Sequence, residues 1–111
     1  AFLKAYRVKY NDYPRLGSVV GYSTMKAAAA IIAKAQSTDT DKLIAAAEGL
    51  KVETPFGTIT FRKGDHQSTL GAFVGTIAVK GGKGVMEGAV YKDGAAYLPP
   101  EDEAAKLRPA N

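Results

Sequence analysis

Four consecutive alanines, Ala27 to Ala30, lie inside a run over residues 19–36 that is rich in alanine throughout. Alanine has the highest intrinsic helix propensity, and Tyr22, Met25, Ala29 and Ile32 recur at helical spacing, so the run predicts a long helix with those four on its apolar face. A helix with so little side chain on any face can approach a neighbouring sheet or helix closely. The rest of the chain must therefore supply an element that packs flat against it.

The flanking patterns are also helical. Over residues 1–10, Phe2, Tyr6, Val8 and Leu3 share a face with Lys4, Arg7 and Lys9 outside it, until Asn11, Asp12, Tyr13 and Pro14 break the run. A third helix is expected after Ser37. There Thr38 and Asp41 have capping spacing, Leu43, Ile44 and Ala47 form the apolar face, and Gly49 supplies a left-handed stop that lets Leu50 fold back.

From Val52 the period changes. Thr54, Pro55, Phe56 and Gly57 are turn chemistry, and residues 58–62 alternate as a half-buried strand does. Residues 70–80 are apolar on both alternate sets, which predicts a strand covered on both faces. The glycines at 81, 82 and 84 lead into residues 85–91 as a hairpin. Pro99 and Pro100, acids from Glu101 to Glu103 and bases at Lys106 and Arg108 match a short helix and its dipole. Helices first and strands after give an α+β class, with residues 1–50 mainly helical and 51–111 strand-rich and closed by the short helix. Two strands and a hairpin are a sparse sheet for three helices, and unpaired edges are expected.

Composition excludes several function classes. The net charge of +4 is spread along the sequence without a block of like charge, and the C-terminal tail has no aromatic platform, so nucleic acid is not an expected partner. No uninterrupted apolar run reaches the ~18 residues of a membrane span, and the chain reads as soluble. With no cysteine and one histidine, His66, neither a transition-metal site nor a cofactor is expected, since Asp65 is the only acid nearby. A hydrolytic Ser68/His66/Asp65 arrangement lacks a nucleophile elbow and is kept only as the enzyme comparison; the expectation is no enzyme. The Gly81, Gly82, Lys83, Gly84 cluster has the wrong spacing for a phosphate loop and runs into a strand.

The order of short motifs is more specific than any one of them. Gly21-Tyr22-Ser23-Thr24-Met25-Lys26 ahead of an Ala/Ile helix resembles the G-Y-D-A helix of type I periplasmic solute-binding proteins, the branched-chain amino acid receptor family of ABC transporters, with Ser23 in place of Asp. Ala46-Ala47-Glu48-Gly49-Leu50 is similar to that family's helix end, and Thr54-Pro55-Phe56-Gly57-Thr58-Ile59-Thr60-Phe61-Arg62 to its T-P-f-G-p-v-t-f-r segment. Asp65-His66-Gln67 and Tyr97-Leu98-Pro99-Pro100-Glu101-Asp102 extend the likeness over nearly the whole chain.

The resemblance implies a two-lobed α/β parent with a ligand clamped between its lobes, of which this chain is expected to be the C-terminal portion. The start at Ala1, with no initiator Met and no capping residue before a helical pattern, agrees with that expectation. The implied function is capture of a small solute in the periplasm, a branched-chain or other amino acid, an amide or an aromatic acid, for delivery to an ABC permease. The resemblance places the loop before the Gly-Tyr helix near the cleft. Ser18 and Tyr22 are thus the ligand-binding candidates, the first through its hydroxyl and the second through its ring edge or hydroxyl. The structural alternative makes Tyr22 a packing aromatic and Ser18 a helix cap. A different class of reading is an autonomous interaction module that dimerises through its exposed strands, and the isolated chain is expected to self-associate.

Overall fold

The computed structural model describes residues 1–107. The chain forms α1 (Phe2–Tyr10), α2 (Leu16–Ala35), α3 (Thr40–Ala47), β1 (Lys51–Thr54), β2 (Gly57–Thr60), β3 (Ala72–Lys80), β4 (Lys83–Lys92), a 3-10 turn (Gly94–Ala96) and α4 (Glu101–Lys106). Arg108, expected in the last helix, lies outside the described residues.

The helices end by identifiable devices. Asn11 and Gln36 take the left-handed conformation after α1 and α2, and their N–H groups donate to Arg7 O and Ile32 O, each at 2.9 Å. The α3 cap is Asp39, one residue beyond the expected Thr38: its carboxylate accepts from Lys42 N–H at 3.1 Å. Gly49, at φ 65°, turns the chain out of α3 as expected, and its N–H donates to Phe61 O at 3.0 Å.

The α2 face that packs differs from the one expected. Val19, Ser23 and Ala27 are buried, whereas Met25 and Ile32 are exposed. In a helix that is apolar nearly all round, periodicity does not select a face, and the neighbouring element decides it. That neighbour is a β1–β2 hairpin. Its first strand, which the sequence marks only by a change of period, pairs antiparallel with β2, and Val52 stands opposite Ile59. Val52 and Ile59, only 4% and 3% exposed, pack on Ala27, with Ala30, Leu50, Phe61 and Leu70 around them. The small alanines let the hairpin lie flat on the helix, as the composition of α2 demands. Burying two β-branched side chains this way is worth about 3–6 kcal/mol.

Beyond β2, Phe61 bridges Ser68, and Arg62 N–H donates to Gln67 O at 2.8 Å, closing a short excursion over residues 62–67. The guanidinium of Arg62 donates to both carboxylate oxygens of Asp65 and, at 2.6 Å, to Pro99 O, which holds the segment before α4 against this excursion. The hydrogen bond with Asp65 raises the Arg62 pKa above its ordinary value, partial burial opposing, so the guanidinium stays charged.

The second hairpin forms as expected but is not covered. β3 and β4 pair antiparallel around a two-residue Gly81-Gly82 turn with both φ angles positive, the geometry that matches strand twist. Ile77 and Val79 remain 84% and 74% exposed. Among the described residues its anchor is at the base, where Phe56 meets Phe73 and Tyr91 at ring separations of 5.5 and 6.5 Å. The described strands thus make two separate two-stranded sheets rather than one. The hairpin's projection shows in the dimensions, 55 × 32 × 20 Å with a radius of gyration of 17.1 Å, against about 13 Å for a compact chain of about this length.

By length and composition α2 is long and apolar enough to cross a membrane, although Ser23, Thr24, Lys26 and Lys34 interrupt the run. In this fold its buried stripe is occupied by β1 and α3.

Candidate functional site

Both candidate residues fall on α2, which begins at Leu16, so Ser18 is helical and neither in the preceding loop nor at the cap, a position held by Arg15. Ser18 and Tyr22 are one turn apart and face α1. The Ser18 hydroxyl donates to Tyr6 Oη at 3.2 Å, and the Tyr22 ring lies 4.7 Å from Phe2. They line an open groove of about 680 Å³ whose other large walls are Phe2, Tyr6, Lys9 and Tyr10.

The α1 side of the groove was only partly legible. Phe2, Tyr6 and Tyr10 follow one another at i, i+4 and i+8 and form a continuous ladder, with Phe2 5.9 Å from Tyr6 and Tyr6 4.6 Å from Tyr10. Tyr10 completes that face, whereas Val8, expected on it, is 81% exposed. The signal was the aromatic spacing, which outranks hydrophobicity alone because ring pairs add about 0.5–1.5 kcal/mol each beyond their area.

On the α2 side, Gly17 and Gly21 flank Ser18, and space is open where their side chains would stand. This lets the groove floor reach the α2 backbone. No acid is among the lining residues, while Lys9 Nζ sits 5.4 Å from the Tyr10 ring centre and Lys26 Nζ 6.0 Å from that of Tyr22. A groove with aromatic walls, one accessible hydroxyl network and cationic rims suits a small molecule with a flat or apolar body and an anionic group.

Ser23, which replaces the Asp of the resembled motif, does not reach this groove. It is 4% exposed on the opposite face of α2, and its hydroxyl donates to Val19 O at 2.9 Å. Here the side chain satisfies itself on its own helix, and no ligand group is left over.

The residues of the enzyme comparison are close in sequence but not assembled. The Asp65 carboxylate accepts from Arg62 and from Gln67 N–H, and Ser68 is in the bridge to Phe61. His66 takes a left-handed conformation at φ 58°, its N–H donating to Arg62 O at 3.0 Å, and its buried Nε2 has no hydrogen-bond partner among the described residues. No group of three or more His, Cys, Asp or Glu able to hold a metal occurs among the described residues.

Residues 1–83 match the model of a family described as periplasmic binding protein. A crystal structure of an ABC-type branched-chain amino acid transporter from Rhodopseudomonas palustris CGA009 is similar at 33% identity and a TM-score of 0.67, over 82% of this chain and 24% of that one. Another, of an ABC transporter from Rhodopseudomonas palustris, is similar at 36% identity and a TM-score of 0.59, over 68% of this chain and 23% of that one. The chain thus spans about a quarter of the length of these solved relatives. No curated protein matches it. The match over residues 1–83, together with the likeness to a solved relative at a TM-score of 0.67, shows that this chain belongs to the periplasmic binding protein family.

Proposed function

We propose that this chain is part of a periplasmic solute receptor that captures a small molecule and delivers it to an ABC permease, working by closure of two lobes without chemistry. Residues 1–50 belong to one lobe, the β1–β2 hairpin packs on them, and the rest of the strand-rich part 51–111 supplies the segment that closes on the other. The observation that carries this reading is the 33% identity with a branched-chain amino acid transporter structure over 82% of the chain. Ser18 and Tyr22 supply one wall of the ligand site, and the solute is a branched-chain or other amino acid, an amide or an aromatic acid. The carboxylate common to most of these candidates agrees with the acid-free groove and its lysine rim.

A thermal-shift panel of amino acids, amides and aromatic acids on the complete receptor tests the reading. At least one compound is expected to stabilise strongly, because a ligand at 100 times its dissociation constant adds about 2.7 kcal/mol. No response across the panel would count against a receptor for these solutes. Tyr22→Ala, which also removes the ring contact with Phe2, is expected to weaken the responding ligand at least tenfold, whereas Tyr22→Phe, which keeps the ring, leaves the ligand-free melting point nearly unchanged.

A second reading concerns this chain alone. The β3–β4 hairpin presents Val74, Ile77, Val79, Met86 and Val90 to solvent, and apolar surface of this kind marks association. The isolated chain is therefore a self-associating unit. Light scattering that shows a single monomeric species at micromolar concentration would remove this reading and leave the receptor reading untouched.

A further inference from the structure

We infer that the β3–β4 hairpin turns as one rigid arm on a pivot at its base, where residues 70–71 cross residues 93–94, with Gly71 and Gly94 as the hinge residues. The inference rests on the closure reading above and names where in this chain the movement is taken up.

At this crossing the two backbones touch. A Cβ on Gly71 would stand 1.9 Å from Lys92 O, and one on Gly94 2.5 Å from Leu70 O, both far inside van der Waals contact. Neither glycine lies in the left-handed region, so close approach and not an unusual turn is what the two positions demand. The Gly71 N–H donates to Tyr91 Oη at 2.9 Å, which keeps the segments from parting. A contact this close fixes where an axis runs, and residues without Cβ have the widest choice of φ and ψ with which to turn about it.

Both sides of the crossing are tied down. Toward the helical body, Thr69 N–H donates to Thr60 O and Thr60 N–H to Thr69 Oγ1, each at 3.0 Å, while Arg62 holds Pro99 O at 2.6 Å. Toward the arm, pairing starts at once with Ala72 opposite Lys92 and runs to the turn at Gly81 and Gly82. The backbone left between is short: residues 70–71 on the way out and 93–94, at the start of the 3-10 turn, on the way back. Hinges are built this way, from a few loop or element-terminal residues between rigid parts. Phe56 meets the base of the arm through its ring contacts with Phe73 and Tyr91, which slide without breaking a hydrogen bond.

The chain has no cysteine, so spin labels on introduced cysteine pairs measure the movement. Val8→Cys with Ile77→Cys, at sites 81% and 84% exposed, reports body to arm; Val79→Cys with Val90→Cys reports within the arm. Ile77 lies about 20 Å from the crossing at ~3.4 Å per residue, so a turn of about 10° moves it about 3–4 Å. The body-to-arm distance distribution is expected to be clearly broader than the one within the arm. Gly71→Ala and Gly94→Ala should each shift the body-to-arm mean by about 3 Å or more and leave the distance within the arm unchanged. Gly84→Ala, where space is open, should shift neither. A body-to-arm distribution as narrow as the one within the arm overturns the pivot, and this comparison in the unmodified backbone decides even where an alanine variant loses its structure. Equal broadening within the arm also overturns it, because the hairpin then bends instead of turning. In the complete receptor, the Val8–Ile77 distance and the radius of gyration are read with and without leucine, phenylalanine, benzamide and benzoate. Compaction by one of these at a fixed Val8–Ile77 distance overturns the pivot and leaves the closure reading, whereas no compaction by any of them counts against closure and leaves the pivot to the distances in the chain itself.

Discussion

Ser23 and Ser18 show how two serines five residues apart on one helix take unrelated tasks. Ser23 turns its hydroxyl back to Val19 O inside the packed face, and Ser18 offers its hydroxyl across a groove to Tyr6. The helical signal is weak around Gly17 and Gly21, which favours a loop through Ser18; the helix begins at Leu16 all the same, and one turn after Ser18 the Tyr22 ring meets Phe2 of α1. Capping chemistry is the local rule that decides α3. Asp39→Ala removes the carboxylate that accepts from Lys42 N–H, and a cost of about 1 kcal/mol is expected. In a domain of this size that lowers the melting point by ~4–8 °C. Thr38→Ala, at the position the capping spacing favoured, should change it by less than half as much. Equal effects from the two variants would return the cap to Thr38.

At the level of elements, the legible features were those with strong local signals: the alanine helix, the glycine turn at 81 and 82, and the left-handed stop at Gly49. β1 escaped notice because Lys51 and Glu53 have weak strand preference, and only the pairing of Val52 with Ile59 makes four residues a strand. The packed face of α2 escaped for the complementary reason, since a run of alanines carries no directional signal. Both misses resolve at one contact, where Ile59 and Val52 meet Ala27. Ile59→Ala should therefore cost about 2–5 kcal/mol, as large-to-small changes at buried isoleucine do. Ile32→Ala, on the face that periodicity favoured but the structure exposes, should cost under about 1 kcal/mol in urea unfolding. Similar losses at the two sites would mean that the hairpin packs elsewhere on α2.

For the molecule as a whole, stability and association are one problem. Among the described residues no large side chain is fully buried, and the buried apolar set is mostly alanine and valine: Val19, Ala27, Ala46, Val52, Ile59 and Ala104. A core so thin leaves the folded chain only marginally favoured by itself. Meanwhile the uncovered hairpin holds apolar surface that contributes nothing until something pairs with it. Any partner bound only by the folded form adds to stability through mass action. If that partner is a second copy, the unfolding midpoint must depend on protein concentration. A hundredfold rise adds RT ln 100, about 2.7 kcal/mol per dimer. Urea or thermal unfolding at 1 and 100 μM should thus show a midpoint that climbs for the unmodified chain and stays nearly constant for Ile77→Lys. A midpoint independent of concentration in the unmodified chain would mean that the core beneath the alanine helix is sufficient, and that the exposed hairpin has no role in folding.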